Sequence, residues 1–312
     1  MKKLLAVLLI VLMLFSLTVA CTPKEEPAEE PTEEPTEEPA VEPEEEPVEE
    51  PAEEPAEEPA VMYADGIYFA SEDDFAGNGW KYHAVITVED GKITKALWNG
   101  TNRVPEQDKK TLSMEGNYGM VAFGDAQAEW HEQAEAAENY LLEMQSPVPA
   151  DGFYSDDEGH TDAIAGVSIH VIEFFDLAEK ALSSDPVPEG MYEDGYPMSV
   201  LEPDDKGWQY MSQFIVVNGT IVDANFNSQS ITEVDEDGDP VDKKGLGFEY
   251  GMKEQSGSEF GWFEQAEKAG EFVVANQGFE INYIDEEGHT DSIAGVTIHV
   301  NQMEELFTKA FQ

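Results

Sequence analysis

Residues 158–171 read EGHTDAIAGVSIHV and residues 287–300 read EGHTDSIAGVTIHV, identical at twelve of fourteen positions. One of the two differences, Ser168 against Thr297, keeps a hydroxyl. Working outward at an offset of about 129 residues, Asp65-Gly66 aligns with Asp194-Gly195, Trp80 and Tyr82 with Trp208 and Tyr210, and Gly91 with Gly219. Tyr118-Gly119-Met120 meets Tyr250-Gly251-Met252, and the Glu-Gln-Ala-Glu of residues 132–135 meets that of 264–267. Two repeats of this length predict tandem domains and not a solenoid, which takes at least three shorter units.

Within a unit the hydrophobic pattern sets the elements. Trp80, Tyr82, Ala84, Ile86 and Val88 alternate with more polar residues, Asp90-Gly91 is a tight-turn signal, and Lys92 to Trp98 returns as a second strand. Trp208 to Val217, Asn218-Gly219 and Thr220 to Phe226 repeat the hairpin. A helical stretch is expected from about Ala128 to Met144, with its counterpart from about Gly261 to Val274. The fourteen-residue motif is expected to be a strand, followed by a helix at 172–182 or 301–311. The fold class predicted is α+β: two tandem homologous domains, each a largely antiparallel sheet with packed helices, preceded by a disordered linker.

Charge divides the chain further. The 312 residues carry 68 acids against 16 bases, a formal −52, which argues against a nucleic-acid partner held through phosphates. The single cysteine excludes an intrachain disulfide, a Cys-based zinc site and an iron–sulfur cluster. Residues 1–20 read as a signal peptide: Lys2 and Lys3 precede a largely apolar run from Leu4 to Ala20. Leu17-Thr18-Val19-Ala20-Cys21 resembles a bacterial lipobox, with Thr18 where such boxes usually have Leu. That resemblance implies lipidation of Cys21, including the palmitate-type acyl chains of a lipoprotein, and a cell-membrane location on the extracytoplasmic face. A secretory signal cut after Ala20 and an uncleaved anchor are the alternatives, and they place the rest on the same side. Residues 21–60 form the linker, with Pro at every fourth position from Pro23 to Pro59 and −17 over residues 22–60. Such spacing blocks helices and leaves nothing for a core, so the segment is expected to be an extended stalk. The domains are then 61–184 and 185–312, joined near Ser183-Ser184-Asp185-Pro186.

If residues 164–171 were extended, Ala165, Val167, Ile169 and Val171 would form one apolar face. Ile164, Gly166, Ser168 and His170 would form the other, matched by Ile293, Gly295, Thr297 and His299 in the second unit. Glycine beside a hydroxyl leaves room for a bulky group or another backbone. The plainer alternative is a half-buried strand with a bulge at Gly and a hydrogen-bonded His.

Asp-x-Ile-Ala-Gly-Val-[Ser/Thr] ending each of two units resembles the FMN-binding domain family, in which flavin is joined to Ser or Thr by a phosphoester bond. The layout of the chain is similar to the flavinylated extracellular electron transfer lipoproteins of Gram-positive bacteria. The resemblance implies two covalent FMN groups on Ser168 and Thr297, with Asp162, Gly166, His170, Asp291, Gly295 and His299 as cofactor-binding positions. It also implies a separate FMN transferase that uses FAD, and an electron carrier without catalytic residues of its own. Electrons would come from a membrane quinol pool fed by an NADH dehydrogenase and pass to extracellular acceptors such as ferric iron. The sequence departs from the usual pattern identically in both units: Ala165 and Ala294 replace a hydroxyl residue, Val167 and Val296 replace Ala, and His170 and His299 replace the last Ser or Thr. A charge of −37 over residues 61–312 would hold free FMN weakly, which suits covalent attachment.

Other candidates carry less. Trp130, Trp262, Tyr118 and Tyr250 are able to stack on a flavin ring, though repeated aromatics are more often core. His160-Thr161-Asp162 with His170 offers metal ligands in no recognised zinc spacing, so no metal is expected. Asp235-Glu-Asp-Gly-Asp239 with Asp242 suggests a calcium loop, but a solvated acidic loop fits better. The alternative from another class is a non-redox surface lipoprotein that binds a small ligand or peptide.

Overall fold

The computed structural model describes residues 63–124 and 126–312. The expected signal peptide, Cys21 and the linker lie outside the described residues. Each unit is built on the hairpin its sequence announces. In the first, β1 (Gly66–Ser71), β2 (Trp80–Glu89) and β3 (Lys92–Asn102) form an antiparallel sheet in that order. In the second, β4 (Met198–Val200), β5 (Trp208–Val217), β6 (Thr220–Val234) and β7 (Pro240–Asp242) do the same. Asp90 (φ 53°) with Gly91 (φ 72°), and Asn218 (φ 52°) with Gly219 (φ 74°), supply the two left-handed residues that a tight hairpin turn needs. Each hairpin also carries an irregularity at the same place, Thr87/Val88 and Ile215/Val216.

Helices cover one face of each sheet. The first unit has α1 (Lys109–Met114), α2 (Met120–Gly124), α3 (Trp130–Met144) and α4 (Ile172–Leu182). The second has α5 (Lys243–Leu246), a 3-10 turn at Gly247–Tyr250, α6 (Met252–Ser256), α7 (Trp262–Asn276) and α8 (Asn301–Ala310). Helix α3 packs on β3, and α4 packs on β1 and β2; α7 and α8 repeat this on β6 and on β4 and β5. Trp98 fills the first core, its ring 5.3 Å from Trp130 and 5.5 Å from Phe174. Burying each such aromatic favours the fold by ~1.5–3 kcal/mol. Phe214, Phe226, Trp262 and Phe279 make the second core.

Residues that alternate with the core positions are polar, and through them the two units meet. Asn99 donates to Tyr196 Oη at 2.9 Å, Asn225 and Asn227 donate to the Arg103 carbonyl at 3.1 and 2.8 Å, and Lys81 pairs with Asp223 at 3.0 Å. These sheet faces are hydrogen-bonded across the junction, so the units form one body.

The main helix of each unit ends on a left-handed glutamine whose amide reaches the sheet edge. Gln145 accepts from Ile93 N and donates to Ile93 O, each at 2.9 Å. Gln277 accepts from Ile221 N at 2.8 Å and donates to Ile221 O at 2.9 Å.

One expectation fails. Residues 158–171 and 287–300 are not strands; they fold as loops of successive turns. Val167 N donates to Ile164 O at 3.3 Å and Val296 N to Ile293 O at 3.2 Å, closing a turn around Gly166 (φ 82°) and Gly295 (φ 78°). Val171 N then donates back to Gly159 O, and Val300 N to Gly288 O, each at 2.9 Å. A strand has no place for left-handed backbone, so the apolar alternation there does not mark sheet faces. Ile164 and Val171, which opposite strand faces would separate, are both buried. Among the described residues no helix is long and apolar enough to cross a membrane.

Candidate functional site

Ser168 and Thr297 sit two residues beyond the left-handed glycines, both exposed. Beneath each lies a buried glutamine from the start of the main helix. Gln133 Oε1 accepts from Ser168 N at 2.7 Å, Ile169 N at 3.2 Å and Ser168 Oγ at 3.3 Å. Gln265 Oε1 accepts from Thr297 N at 2.6 Å, Ile298 N at 3.1 Å and Thr297 Oγ1 at 3.3 Å. A carbonyl oxygen has two lone pairs, and the two amides take them at shorter range. The hydroxyl is the loosest of the three partners, so its oxygen is held in place yet left available. The two amides nearest the hydroxyl are spent on the glutamine oxygen.

The first three letters of the repeated Glu-Gln-Ala-Glu each have a structural role. Glu132 and Glu264 accept from the backbone N–H of Glu129 and Gly261 at 2.8 and 2.7 Å, as in a capping box. Gln133 and Gln265 hold the hydroxyl loops, while Ala134 and Ala266 are fully buried where the helix meets its sheet. Glu135 and Glu267 follow, and burial raises Glu267 above the usual carboxylate range. Sequence comparison found the repeat but not the glutamine's task.

A second repeated device went unread. Lys109 and Lys243 are 1% and 2% exposed, each with its ammonium inside a ring of four aromatic side chains. Lys109 Nζ lies 4.7 Å from the Trp80 and Tyr82 ring centres, 4.6 Å from Tyr118 and 5.1 Å from Trp130, and donates to Tyr82 Oη at 2.5 Å. Lys243 Nζ lies 4.9 Å from Trp208, 4.4 Å from Tyr210, 5.2 Å from Tyr250 and 5.0 Å from Trp262, and donates to Tyr210 Oη at 2.9 Å. Burial pushes Lys109 down to about 7, against the pull of Glu173 and Glu72. Burial likewise lowers Lys243 to about 8, against Asp204. Ring faces favour the charged ammonium and act against this depression. The signal available in the sequence was Asp108-Lys109-Lys110 against Asp242-Lys243-Lys244.

In the first unit these parts converge. Ser168, His170, His160, Lys109, Trp98, Trp130 and Glu173 share the lining of a cavity of about 310 Å³. Two buried polar atoms of that lining, Trp98 Nε1 and Glu173 Oε2, have no hydrogen-bond partner. One is a donor and the other an acceptor, the complement of a guest that carries both C=O and N–H groups. Asp162 and Gly166 stand outside this lining; Asp162 and Asp291 are exposed on the motif turns. Trp130 and Trp262 are buried at 2% and 5%, packed against the lysines. His160 and His170 lie with ring centres 4.4 Å apart, as do His289 and His299. The acidic run behaves as a turn: Asp235 Oδ1 accepts from Asp237 N and Asp239 N at 3.0 and 2.9 Å. Asp242 is drawn away from it, capping α5 through Gly245 N at 2.7 Å and pairing with Arg103.

The fold and site define an α+β chain of two equivalent units, each with one exposed hydroxyl on a turn and one lysine buried among four aromatic rings; in the first unit hydroxyl and lysine line one cavity. No protein-family description matches the chain, and no curated protein matches it. Two solved structures are similar to part of it. A solution NMR structure of a Clostridium thermocellum protein is 53% identical over 38% of this chain and 89% of its own, with a TM-score of 0.31. A crystal structure of a Clostridium perfringens protein is 28% identical over 39% of this chain and 88% of its own, also with a TM-score of 0.31.

Proposed function

We propose that the chain is an electron carrier holding FMN covalently on Ser168 and Thr297, anchored through Cys21 at the extracytoplasmic face of a cell membrane. The observation that carries this reading is the pair of exposed hydroxyls at equivalent positions, each following a left-handed glycine and each resting on a buried glutamine. A separate FMN transferase would move the FMN moiety of FAD to the hydroxyl oxygen, forming the phosphodiester and releasing AMP. When bound, the flavin supplies the one- and two-electron chemistry by which electrons from a quinol pool, fed by an NADH dehydrogenase, would reach acceptors such as ferric iron. The chain's residues supply position and charge. Gln133 and Gln265 fix the attachment loops, Lys109 places a titratable cation in the cavity that Ser168 lines, and Trp98 and Glu173 leave a donor and an acceptor unpaired in the first unit.

The test is the intact mass of the chain from Thr22 onward, co-expressed with the transferase and FAD. Two FMN additions are expected, one lost in Ser168→Ala and the other in Thr297→Ala. No addition, with the transferase active on a control, would sink the reading. A non-redox lipoprotein would then be favoured, its ligand taken by the recess of about 530 Å³ between the units, where Phe75 and Lys81 face Asp223, Lys244 and Glu267.

A further inference from the structure

We propose that each unit binds one zinc ion, on Glu158, His160 and His170 in the first and on Glu287, His289 and His299 in the second. The ligand atoms of each trio lie within 4.8 Å of one another. A single cation bonded to nitrogen and oxygen at ~2.0–2.2 Å reaches all three across that spacing. The inference is independent of whether Ser168 and Thr297 carry flavin.

Three features make these trios more than neighbouring polar residues. The first is tautomer control. Asp156 Oδ2 lies 2.6 Å from His160 Nδ1, and Asp285 Oδ2 lies 2.6 Å from His289 Nδ1. A carboxylate accepts and does not donate, so Nδ1 carries the proton and Nε2 presents its lone pair. That carboxylate–histidine pairing is the usual outer support of a metal-bound imidazole. The second is a fixed backbone. Asp156 Oδ1 accepts from Glu158 N and His160 N at 3.0 and 3.1 Å, and Asp285 Oδ1 accepts from Glu287 N and His289 N at 3.0 and 3.1 Å. The distant histidine is tied to the same place, because the residue after it donates to the glycine before the nearer one: Val171 N to Gly159 O and Val300 N to Gly288 O. The third is duplication. Both trios consist of the same residue types, with ring centres 4.4 Å apart and planes at 78° and 70°.

Two imidazoles and one carboxylate select a borderline cation over calcium or magnesium, which prefer oxygen alone. Three protein ligands leave a fourth position for water or an anion. In the first unit both histidines of the trio also line the cavity that Ser168 lines.

The experiment uses the chain from Thr22 onward, made without the transferase and freed of any histidine tag, titrated with zinc chloride against a chelating dye. About two zinc ions per chain are expected. His170→Ala should leave one, and His170→Ala with His299→Ala none. Asp156→Asn should weaken the first site roughly tenfold or more through the supporting carboxylate. A readout on the unmodified chain accompanies this: in long-range nitrogen–proton spectra, the Nε2 signals of His160 and His289 should move on zinc addition while those of His83 and His131 stay. Fewer than one zinc per chain, uptake unchanged in the double variant, or calcium bound in preference to zinc overturns the proposal. Unmoved imidazole signals at saturating zinc overturn it as well.

Discussion

Arg103, just past β3 in the first unit, donates from Nη2 to Asp242 Oδ2 at 3.0 Å and from Nε to the two carboxylate oxygens at 3.1 and 3.3 Å. Asp242 is buried, and the same carboxylate caps α5 and accepts from Asn227 Nδ2 at 2.8 Å. One side chain therefore ties the neighbouring unit to the element that carries Lys243. Arg103 is 30% exposed and Asp242 keeps the Asn227 and Gly245 donors, so removing the arginine costs about 1–3 kcal/mol, the penalty for a charge-assisted hydrogen bond lost at a buried acceptor. Arg103→Ala is expected to lower stability by about 1–3 kcal/mol in urea unfolding and to separate the units into two transitions. A single transition at the unchanged midpoint would show that the junction does not depend on this pair.

Gln133→Leu and Gln265→Leu remove the acceptor shared by two backbone amides and the hydroxyl. Each should cost about 1–3 kcal/mol, the penalty for donors stranded without partners. Thermal unfolding measures this, and peptide mapping after co-expression with the transferase should show slower modification at the matching hydroxyl. Gln133→Glu keeps the acceptor but loses the Nε2 donation to Ala128 O at 2.9 Å and buries a charge, so it should not restore stability while the carboxylate is ionised.

Lys109 and Lys243 give the protein an alkaline stability limb. Their folded values, about 7 and about 8, lie below the unfolded lysine value near 10.4. Between these the unfolded chain holds protons that the folded chain has released, so stability rises with pH. From about pH 7 towards 10 the unfolding free energy should increase, and the rise should shrink in Lys109→Met and again in Lys109→Met with Lys243→Met. An equal slope in the double variant would remove the lysines as its origin.

Gly166→Ala and Gly295→Ala separate backbone strain from crowding. Both glycines are left-handed, at φ 82° and 78°, a conformation that costs other residues ~1–2 kcal/mol. A Cβ at Gly166 meets nothing within 4 Å, whereas one at Gly295 falls 2.8 Å from Phe260 Cε2. The Gly295 variant is expected to melt at a lower temperature than the Gly166 variant. The reverse order would mean that the Phe260 ring moves aside freely.

Much of this architecture was legible in the sequence because its signals are local. Asp90-Gly91 and Asn218-Gly219 fixed the hairpins, and the helices begin within about two residues of where the pattern put them. The motif misled because apolar residues at alternate positions satisfy a loop equally well when its turns return Ile164 and Val171 to the same core. The lysine box was invisible for a different reason. Its rings come from residues 80, 82, 118 and 130, gathered from one strand, a loop and a helix, and only the closed fold brings them around Lys109. Gln133 lay within a repeat already recognised, but nothing local told that its amide reaches thirty-five residues ahead.

Gln145 and Gln277 bear on a hazard of duplicated chains. Two near-copies in tandem are apt to exchange strands during folding, since the edge of one unit is a template for the other. Each glutamine amide occupies the N–H and C=O of one edge residue, Ile93 or Ile221, that an incoming strand would need. A side chain belonging to the unit's own helix thus closes the edge once that helix docks.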